Sequence, residues 1–168
     1  GRFCASRQYR HSPWEDQMTN IIRAICLMLA TSFAFALHAE ETERCGKQKV
    51  VYPINYNGGE GSKAHLGAMR NIQNHINAVG AENIDVKVVL HGNGLSLLAD
   101  AKGNDKLQTT VSSLKGQNVS FHVCNNTLRG REISYEDDLY DVWEEDIVPS
   151  GVAELSRLQQ MGYTYIKP

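Results

Sequence analysis

The sequence lacks the features that mark several large classes of protein. Its 17 Lys and Arg residues nearly balance 19 Asp and Glu, giving a formal net charge of −2, so we expect no nucleic-acid partner. Only one stretch, near the N-terminus, is apolar enough to concern a membrane, and there are no internal repeats. The chain has 168 residues, of which 42% are hydrophobic and 21% charged, a composition typical of one globular domain. Multispan membrane proteins, collagens, coiled coils and disordered tails are excluded.

Several nucleotide-binding and catalytic motifs are also missing. The glycine-rich segment 57–63 (NGGEGSK) resembles a phosphate-binding loop only in composition, because the order Gly-Lys-Ser/Thr is absent. Neither G-x-G-x-x-G nor G-x-S-x-G occurs. No cysteine and histidine spacing matches a zinc signature. We therefore expect neither an organic cofactor nor a metal.

The single apolar stretch has the form of a secretory signal peptide. It begins at Met18, carries one positive charge at Arg23, and continues as an apolar run over 24–37. Small residues follow, which predicts cleavage after Ala36 or Ala39. The run is short for a transmembrane helix, which needs about 20 apolar residues. The pattern therefore indicates export and cleavage, with no membrane attachment afterwards.

These features divide the chain into three parts. Residues 1–17 lack hydrophobic periodicity and are interpreted as an upstream extension, 18–39 as the signal peptide, and 40–168 as the folded domain. Cys45 and Cys124 both lie in the third part. An oxidising compartment favours a disulfide between two such cysteines.

Alternating strand and helix patterns predict an α/β domain. Apolar runs predict strands at 47–55, 83–90, 119–123, 147–148 and 163–167. Helical spacing predicts one helix at 63–79, a second helical region that ends at residue 114 and is broken at Gly103, and a last helix from Pro149 onwards. Pro53 is expected at the end of the first strand. His65 and His75 are expected on the surface of the first helix. Strands that are apolar throughout indicate a parallel sheet covered on both faces.

The predicted sheet separates the two cysteines. Cys45 precedes the first strand at the amino edge, whereas Cys124 follows the third strand at the carboxyl edge. A strand spans about 17–20 Å, and a disulfide requires Cα atoms within roughly 7 Å. We therefore expect no bond within one chain unless the segment before Lys47 folds back. A disulfide between subunits through Cys45, as in a redox sensor, stays open.

Cys124 is the strongest candidate for chemistry. It lies where a central strand ends and a helix begins, at the edge where open α/β sheets bind ligands. Backbone N–H groups and the helix dipole at such a point lower a thiol pKa from about 8.5. The alternative is that Cys124 is a small packing residue at a strand end.

Two histidines lie near this cysteine in the predicted fold. His91 follows the second strand at the same edge, where it could orient or deprotonate the thiol. His122 precedes Cys124 by two residues and shares its strand face, and we interpret it as a hydrogen-bonded core histidine. The polar residues around these strand ends predict a pocket formed by Asn93, Asn125, Asn126, Thr127 and Arg129.

Four segments resemble the exported branch of the DsrE/DsrF-like family. These are NVSFHVCNNTLRGREI (118–133), the tail VPSGVAELSRLQQMGYTYIKP (148–168), KVVLHGNG (87–94) and NIQNHINAVGA (71–81). The resemblance implies a three-layer α/β sandwich with a five-stranded, mainly parallel sheet, assembled as a homotrimer or homohexamer. Members that traffic sulfur carry a persulfide on a cysteine after the third strand, the position of Cys124.

The resulting hypothesis is a periplasmic sulfur-handling protein. Cys124 would accept sulfane sulfur as a persulfide from one thiol-bearing partner and transfer it to another, with His91 assisting. The alternative is a non-catalytic oligomeric module that binds a small molecule or anion in the pocket at the carboxyl edge.

Overall fold

The computed structural model describes residues 46–168, which form an α/β fold around one parallel sheet. Its strands are β1 (Gln48–Ile54), β2 (Ile84–Leu90), β3 (Ser120–Cys124), β4 (Ile147–Val148) and β5 (Thr164–Tyr165). They lie in the order β4-β3-β2-β1-β5, and every adjacent pair is parallel. The third strand thus occupies an inner position, with its carboxyl end flanked by the ends of β2 and β4.

Helices connect these strands and lie on both faces of the sheet. They are α1 (Lys63–Val79), α2 (Ser96–Ala101), α3 (Asp105–Lys115), α4 (Asn125–Gly130), α5 (Tyr135–Asp138) and α6 (Gly151–Gln160). The predicted break in the second helical region is confirmed, because α2 ends before Gly103 and α3 begins after it.

The core has two unequal parts, one on each face. Alternate residues of β1, such as Val50 and Ile54, pack with apolar side chains of α1, α2 and α3. On the opposite face Val51, Val89 and Leu158 form a smaller cluster under α6. Burial of both strand faces explains the apolar strand sequences. The predicted three-layer α/β sandwich is confirmed, and its sheet is parallel throughout the described residues.

Pro53 lies one residue before the end of β1, where its missing N–H interrupts no ladder. Successive strand residues direct their backbone polar groups to opposite neighbours. The carbonyl of Val51 accepts a hydrogen bond from Ile166 N on the β5 side, so Pro53 faces that side too. Pairing with β5 stops at Tyr165, the partner of Val51. Proline is tolerated there because no donor is required.

The prediction that His65 and His75 lie on the surface is wrong. His65 is fully buried, with its Nε2 2.9 Å from the carbonyl oxygen of Tyr56. The glycine-rich loop folds over the ring so closely that a Cβ on Gly58 would lie 2.7 Å from His65 Nδ1. His75 is half-buried and forms a 2.7 Å hydrogen bond with the hydroxyl of Tyr52. Both rings therefore have structural contacts.

The last helix presents a different face to the sheet from the one its apolar residues suggest. The spacing of Val152, Leu155 and Leu158 predicts that these apolar residues form its buried face, but Val152 is 65% exposed. Gly151, Glu154 and Leu158 are the buried residues of α6. Gly151 and Glu154 are buried because α6 packs there against His91, Cys124 and His122.

Residues 1–45 lie outside the described residues. The predicted upstream extension, the signal peptide of 18–39 and Cys45 fall in that segment, so each stays a prediction. Within 46–168, the helices are too short or too polar to cross a bilayer.

Candidate functional site

The carboxyl ends of β2 and β3 bring His91 and Cys124 together, as predicted. In the parallel register Leu90 pairs with Val123, so the next residue of each strand, His91 and Cys124, lies at the same level of the sheet. His91 N also donates a hydrogen bond to the carbonyl of Ile54 at 3.2 Å. The backbone at His91 is therefore tied to the adjacent strand.

Gly151, the first residue of α6, lies against both of these residues. A Cβ placed on Gly151 would be 2.8 Å from His91 Cβ and 3.4 Å from Cys124 Cβ. Contacts between carbon atoms are normally about 3.5–4.0 Å, so a side chain does not fit without a shift. Only glycine allows the start of α6 to approach Cys124 this closely.

Several donor groups lie near the Cys124 sulfur. The hydroxyl of Thr127 and the backbone N–H groups of Gly151, Thr127 and Asn126 interact with it. Cys124, which precedes α4, forms no side-chain cap hydrogen bond with that helix. The three N–H groups belong to the first turns of α4 and α6, where amides have no partner within their own helix. Two helices thus direct otherwise unpaired donors at one sulfur.

This arrangement favours the thiolate form of Cys124. Burial, the largest influence, raises the thiol pKa, since the side chain is only 5% exposed. The Thr127 hydroxyl and the three N–H groups act in the opposite direction and together prevail, so the pKa lies below its ordinary value of 9.0. A buried thiol with a lowered pKa differs from an inert packing cysteine, whose pKa burial would raise.

Thr127 also connects the sulfur to the loop after β2. Gly92 N donates a 2.9 Å hydrogen bond to Thr127 Oγ1. Gly92 has a φ of +55°, a conformation that glycine adopts readily. The Cys124 site is defined here as His91, Gly92, Cys124, Thr127 and Gly151.

An arginine lies beside this loop. Arg131 Nη2 donates a 2.8 Å hydrogen bond to Asn93 Oδ1, and it lies 4.0 Å from the position that a Cβ on Gly92 would occupy. Its partner is a neutral amide, so no described carboxylate neutralises the guanidinium. The positive charge is therefore available to an anion that approaches the loop.

His91 is held in the neutral form by its surroundings. It is half-buried, and this burial lowers the pKa of its imidazole. Among the described residues its ring has no hydrogen-bond partner, so it touches the site through Cβ and Cγ near Gly151. A neutral imidazole can accept a proton, which is the chemistry predicted for this position.

The predicted pocket residues contribute in different ways. Asn126 contributes its backbone N–H while its side chain is exposed, and Thr127 contributes both hydroxyl and N–H. Asn93 binds Arg131. Asn125 is half-buried at the start of α4, and Arg129 is exposed in its last turn.

His122 anchors α6 to the sheet next to the Cys124 site. Its Nδ1 lies 2.9 Å from Glu154 Oε1, and Arg157 Nε and Nη2 donate to the same carboxylate at 2.8 and 2.6 Å. The prediction of a hydrogen-bonded histidine is confirmed. Because Glu154 is one turn after Gly151, this ion pair network fixes the part of α6 that faces the sulfur.

Sequence reasoning did not identify Gly151 as a contact of Cys124. Gly151 follows Ser150, whose side chain caps α6 by accepting from Ala153 N; the Ser-Gly pair marks a helix start but does not show what the start touches. No group of three His, Cys, Asp or Glu residues suited to a metal occurs within 46–168. Cys124 is a free thiol. Cys45 lies outside the described residues, so the expectation that these two cysteines do not pair within one chain stays a prediction.

Comparison with known proteins gives the family. The protein MTH1491 of Methanobacterium thermoautotrophicum, described as of unknown function, is 29% identical, with a TM-score of 0.59 over 73% of this chain and 100% of its own. The E. coli YchN protein is 21% identical, with a TM-score of 0.55 over 72% of this chain and 99% of its own, a likeness of fold. The model of the DsrE/DsrF-like family matches residues 57–168, which include the whole Cys124 site. This chain therefore belongs to the DsrE/DsrF-like family.

Proposed function

We propose that the protein handles sulfur by carrying sulfane sulfur as a persulfide on Cys124. The DsrE-like fold is related to sulfur relay, which supports the reaction class. The observation that carries the proposal is the position of Cys124 at the start of α4, with Gly151 at the start of α6 packed against it; the Thr127 hydroxyl and the N–H groups of these two helix starts lower the pKa of the thiol. Such donors stabilise an anionic sulfur, which is the nucleophile in sulfur exchange.

The loading step is a displacement between sulfur atoms. The Cys124 thiolate attacks the terminal sulfur of a persulfide or polysulfide donor, a new S–S bond forms, and the donor's S–S bond breaks. The donor leaves as a thiolate or as a polysulfide shorter by one sulfur, and Cys124 becomes a persulfide anion. Electrons balance because one S–S bond replaces another, and charge balances because two sulfur anions, the Cys124 thiolate and the anionic donor, give two, the Cys124 persulfide and the leaving group.

The unloading step reverses these roles. A thiolate on an acceptor attacks the outer sulfur of the Cys124 persulfide, the S–S bond breaks, and the Cys124 thiolate leaves. The same donors that stabilise the resting thiolate stabilise this leaving group. A leaving thiol of low pKa departs faster, so one arrangement assists both steps.

Limited access to the thiol favours a small donor. Cys124 is 5% exposed, which leaves little room for a folded protein to reach the sulfur. The added sulfur lies about 2 Å farther out, where a thiol-bearing acceptor reaches it more readily. Arg131, with its unneutralised charge, favours an anionic donor such as polysulfide.

Export and assembly belong to the same proposal. The segment 18–39 supports a periplasmic location, where small sulfur anions and exposed thiols of other exported proteins are the available reactants. The family resemblance supports a homotrimer or homohexamer. Secretion of the full chain with mass analysis of the mature form tests the first, and light scattering tests the second.

A non-catalytic binding module is the second candidate. The 5% exposure of Cys124 favours it, because a strand-end cysteine that only packs is buried in the same way. In that case the carboxyl edge would hold an anion without reacting. Its thiol would react slowly, with a pKa at or above 9.0.

Mass spectrometry after anaerobic incubation with polysulfide separates the two candidates. The wild type should gain about 32 Da per added sulfur, and Cys124→Ser should not gain mass at this position. Cys45→Ser is the matched control and should load like the wild type. A wild type that gains no sulfur while Cys124 is reduced would refute the carrier and favour the binding module.

A further inference from the structure

The first turn of α6 packs against Cys124 and helps to bury it. A Cβ on Gly151 would be only 3.4 Å from Cys124 Cβ, so the helix backbone lies directly against this residue. Cys124 is 5% exposed. The position of the first turn of α6 therefore limits the size of a molecule that can reach the sulfur.

A second contact joins the same strand to the same helix beside this point. His122 precedes Cys124 by two residues, a distance of about 6.6 Å along β3. Glu154 follows Gly151 by three residues, about 4.5 Å along α6. The 2.9 Å hydrogen bond between His122 Nδ1 and Glu154 Oε1 thus fastens α6 one turn beyond its contact with Cys124.

This second contact is assisted by charge. Arg157 donates to Glu154 Oε2 at 2.8 Å and to Oε1 at 2.6 Å, and its hydrogen bond is the main influence that lowers the pKa of Glu154. An ionised carboxylate only accepts hydrogen bonds, so His122 donates from Nδ1. Hydrogen bonds to a charged group are stronger than those between neutral groups.

The far end of α6 is held in a different way. Leu158 packs with Val51 and Val89 in the smaller apolar cluster, and the side chain of Ser150 caps the first turn by accepting from Ala153 N. Loss of the contact with His122 would leave the cap and the apolar packing in place. The helix would stay formed while its first turn became free to move away from Cys124.

We propose that Glu154 is a specificity-determining residue that admits small sulfur donors to Cys124 and excludes bulky ones, by fastening the first turn of α6 to His122. The inference deepens the proposed function and rests on it, because it names the donor class. The donors are inorganic polysulfide and other small persulfides rather than the persulfide of a folded protein.

The test compares two neutral reagents that alkylate a thiolate by the same reaction but differ in size. They are iodoacetamide and its N-phenyl derivative iodoacetanilide. Their rates at Cys124 are followed in intact protein and read in the tryptic peptide 116–129, in which Cys124 is the single cysteine. Both reagents attack the same thiolate, so the ratio of their rates does not depend on the thiol pKa and reports access.

Glu154→Met removes the acceptor while nearly keeping the length of the side chain. It should raise the rate of iodoacetanilide relative to iodoacetamide about tenfold, because the lost hydrogen bond to a charged group opposes a local opening of this helix turn.

Variants of His122 test the same contact from the strand, and they replace Glu154→Met if that protein does not fold. His122→Leu removes the donor and should raise the ratio by a similar factor. His122→Asn keeps an N–H donor close to the position of Nδ1 and should keep a ratio near that of the wild type. The effects of Glu154→Met and His122→Leu should not add in the double variant, because both remove one contact.

Glu60→Met is the matched control. Glu60 lies on the surface, where its carboxylate is 3.9 Å from Lys63 Nζ, so the same chemical change breaks an ion pair away from the sulfur. Its ratio should equal that of the wild type. All rates are repeated at low urea concentrations, since labelling through global unfolding rises steeply with urea, whereas labelling through a local opening does not.

Three results would overturn the inference. They are an unchanged ratio in both Glu154→Met and His122→Leu, an equal rise in His122→Asn, and a rise that depends steeply on urea, which would assign the effect to lost stability. Polysulfide loading of the wild type is measured separately. A raised ratio without any loading would refute the persulfide proposal and leave the control of access standing, whereas loading with an unchanged ratio would refute the role of Glu154 alone.

Discussion

Adding a single methyl group at Gly151 tests whether the start of α6 holds the Cys124 sulfur. In Gly151→Ala the new Cβ would lie 2.8 Å from His91 Cβ, 3.3 Å from His91 Cγ and 3.4 Å from Cys124 Cβ. The first of these distances is at least about 0.7 Å shorter than a normal carbon contact. The helix start must therefore move away from both residues.

The structure indicates the size of both effects. Overpacking of this kind costs about 1–3 kcal/mol, while alanine gains up to about 1 kcal/mol over glycine inside a helix. We expect a net loss of roughly 0.5–2 kcal/mol in the free energy of unfolding. Withdrawal of the Gly151 N–H from the sulfur should also raise the Cys124 pKa, because that contact lowers it.

Gly67→Ala is the matched control for this substitution. Gly67 lies within α1, and a Cβ there meets nothing within 4 Å. It should gain up to about 1 kcal/mol by urea unfolding and leave the iodoacetamide pH profile of Cys124 unchanged. A Gly151→Ala protein with wild-type stability and a wild-type thiol pKa would refute the contact between α6 and the sulfur.

Three further predictions concern the surroundings of the site. Arg131→Gln should slow alkylation of Cys124 by the anion iodoacetate about twofold to fivefold at low ionic strength. Alkylation by neutral iodoacetamide should not change, and high salt should reduce the difference for iodoacetate. Equal slowing of both reagents would argue against a role for the charge of Arg131. Gly94→Ala should lose at least about 3 kcal/mol of stability or fail to fold, because its Cβ would overlap the carbonyl oxygen of Ile54. A variant that is as stable as the wild type by urea unfolding would contradict the close approach of Gly94 to the end of β1. The pKa of Glu154 is lowered, first by its hydrogen bond from Arg157, so the unfolded state takes up this proton at higher pH than the folded state. The stability that ionised Glu154 contributes is therefore present above pH 4.5 and lost as the pH falls through the lowered pKa. Glu154→Gln should make the free energy of unfolding, measured with urea, fall less steeply with decreasing pH. An unchanged dependence on pH would count against the ion pairs of Glu154 with His122 and Arg157.

The fold could be predicted from local sequence patterns because each strand and helix has its own periodicity. Apolar runs located the strands, and the spacing of residues such as Met69, Ile72 and Ile76 located α1, which the structure places at Lys63–Val79. The position of Cys124 at the carboxyl edge followed from the order of elements. His91 followed in the same way, because parallel strands end at one edge.

The contacts that define the site could not be predicted, since they join distant parts of the chain. Thr127 meets Gly92 across 35 positions, and Gly151 meets Cys124 only when α6 packs across the sheet. The burial of His65 depends on the path of a glycine-rich loop with φ values of +70° at Gly59 and +59° at Gly61. Composition indicated a loop there but not the direction in which it folds.

The most direct test of sulfur transfer follows the mass of the Cys124 peptide through a complete cycle. The protein is loaded with polysulfide under anaerobic conditions, freed of excess reagent, mixed with an acceptor thiol, and sampled by iodoacetamide trapping and digestion to peptide 116–129. We predict a gain of about 32 Da on loading, its loss after the thiol is added, and a persulfide on the acceptor in equal amount. A Cys124 peptide that stays reduced and unmodified throughout, while the thiol remains free to react with iodoacetamide, would contradict the proposed function.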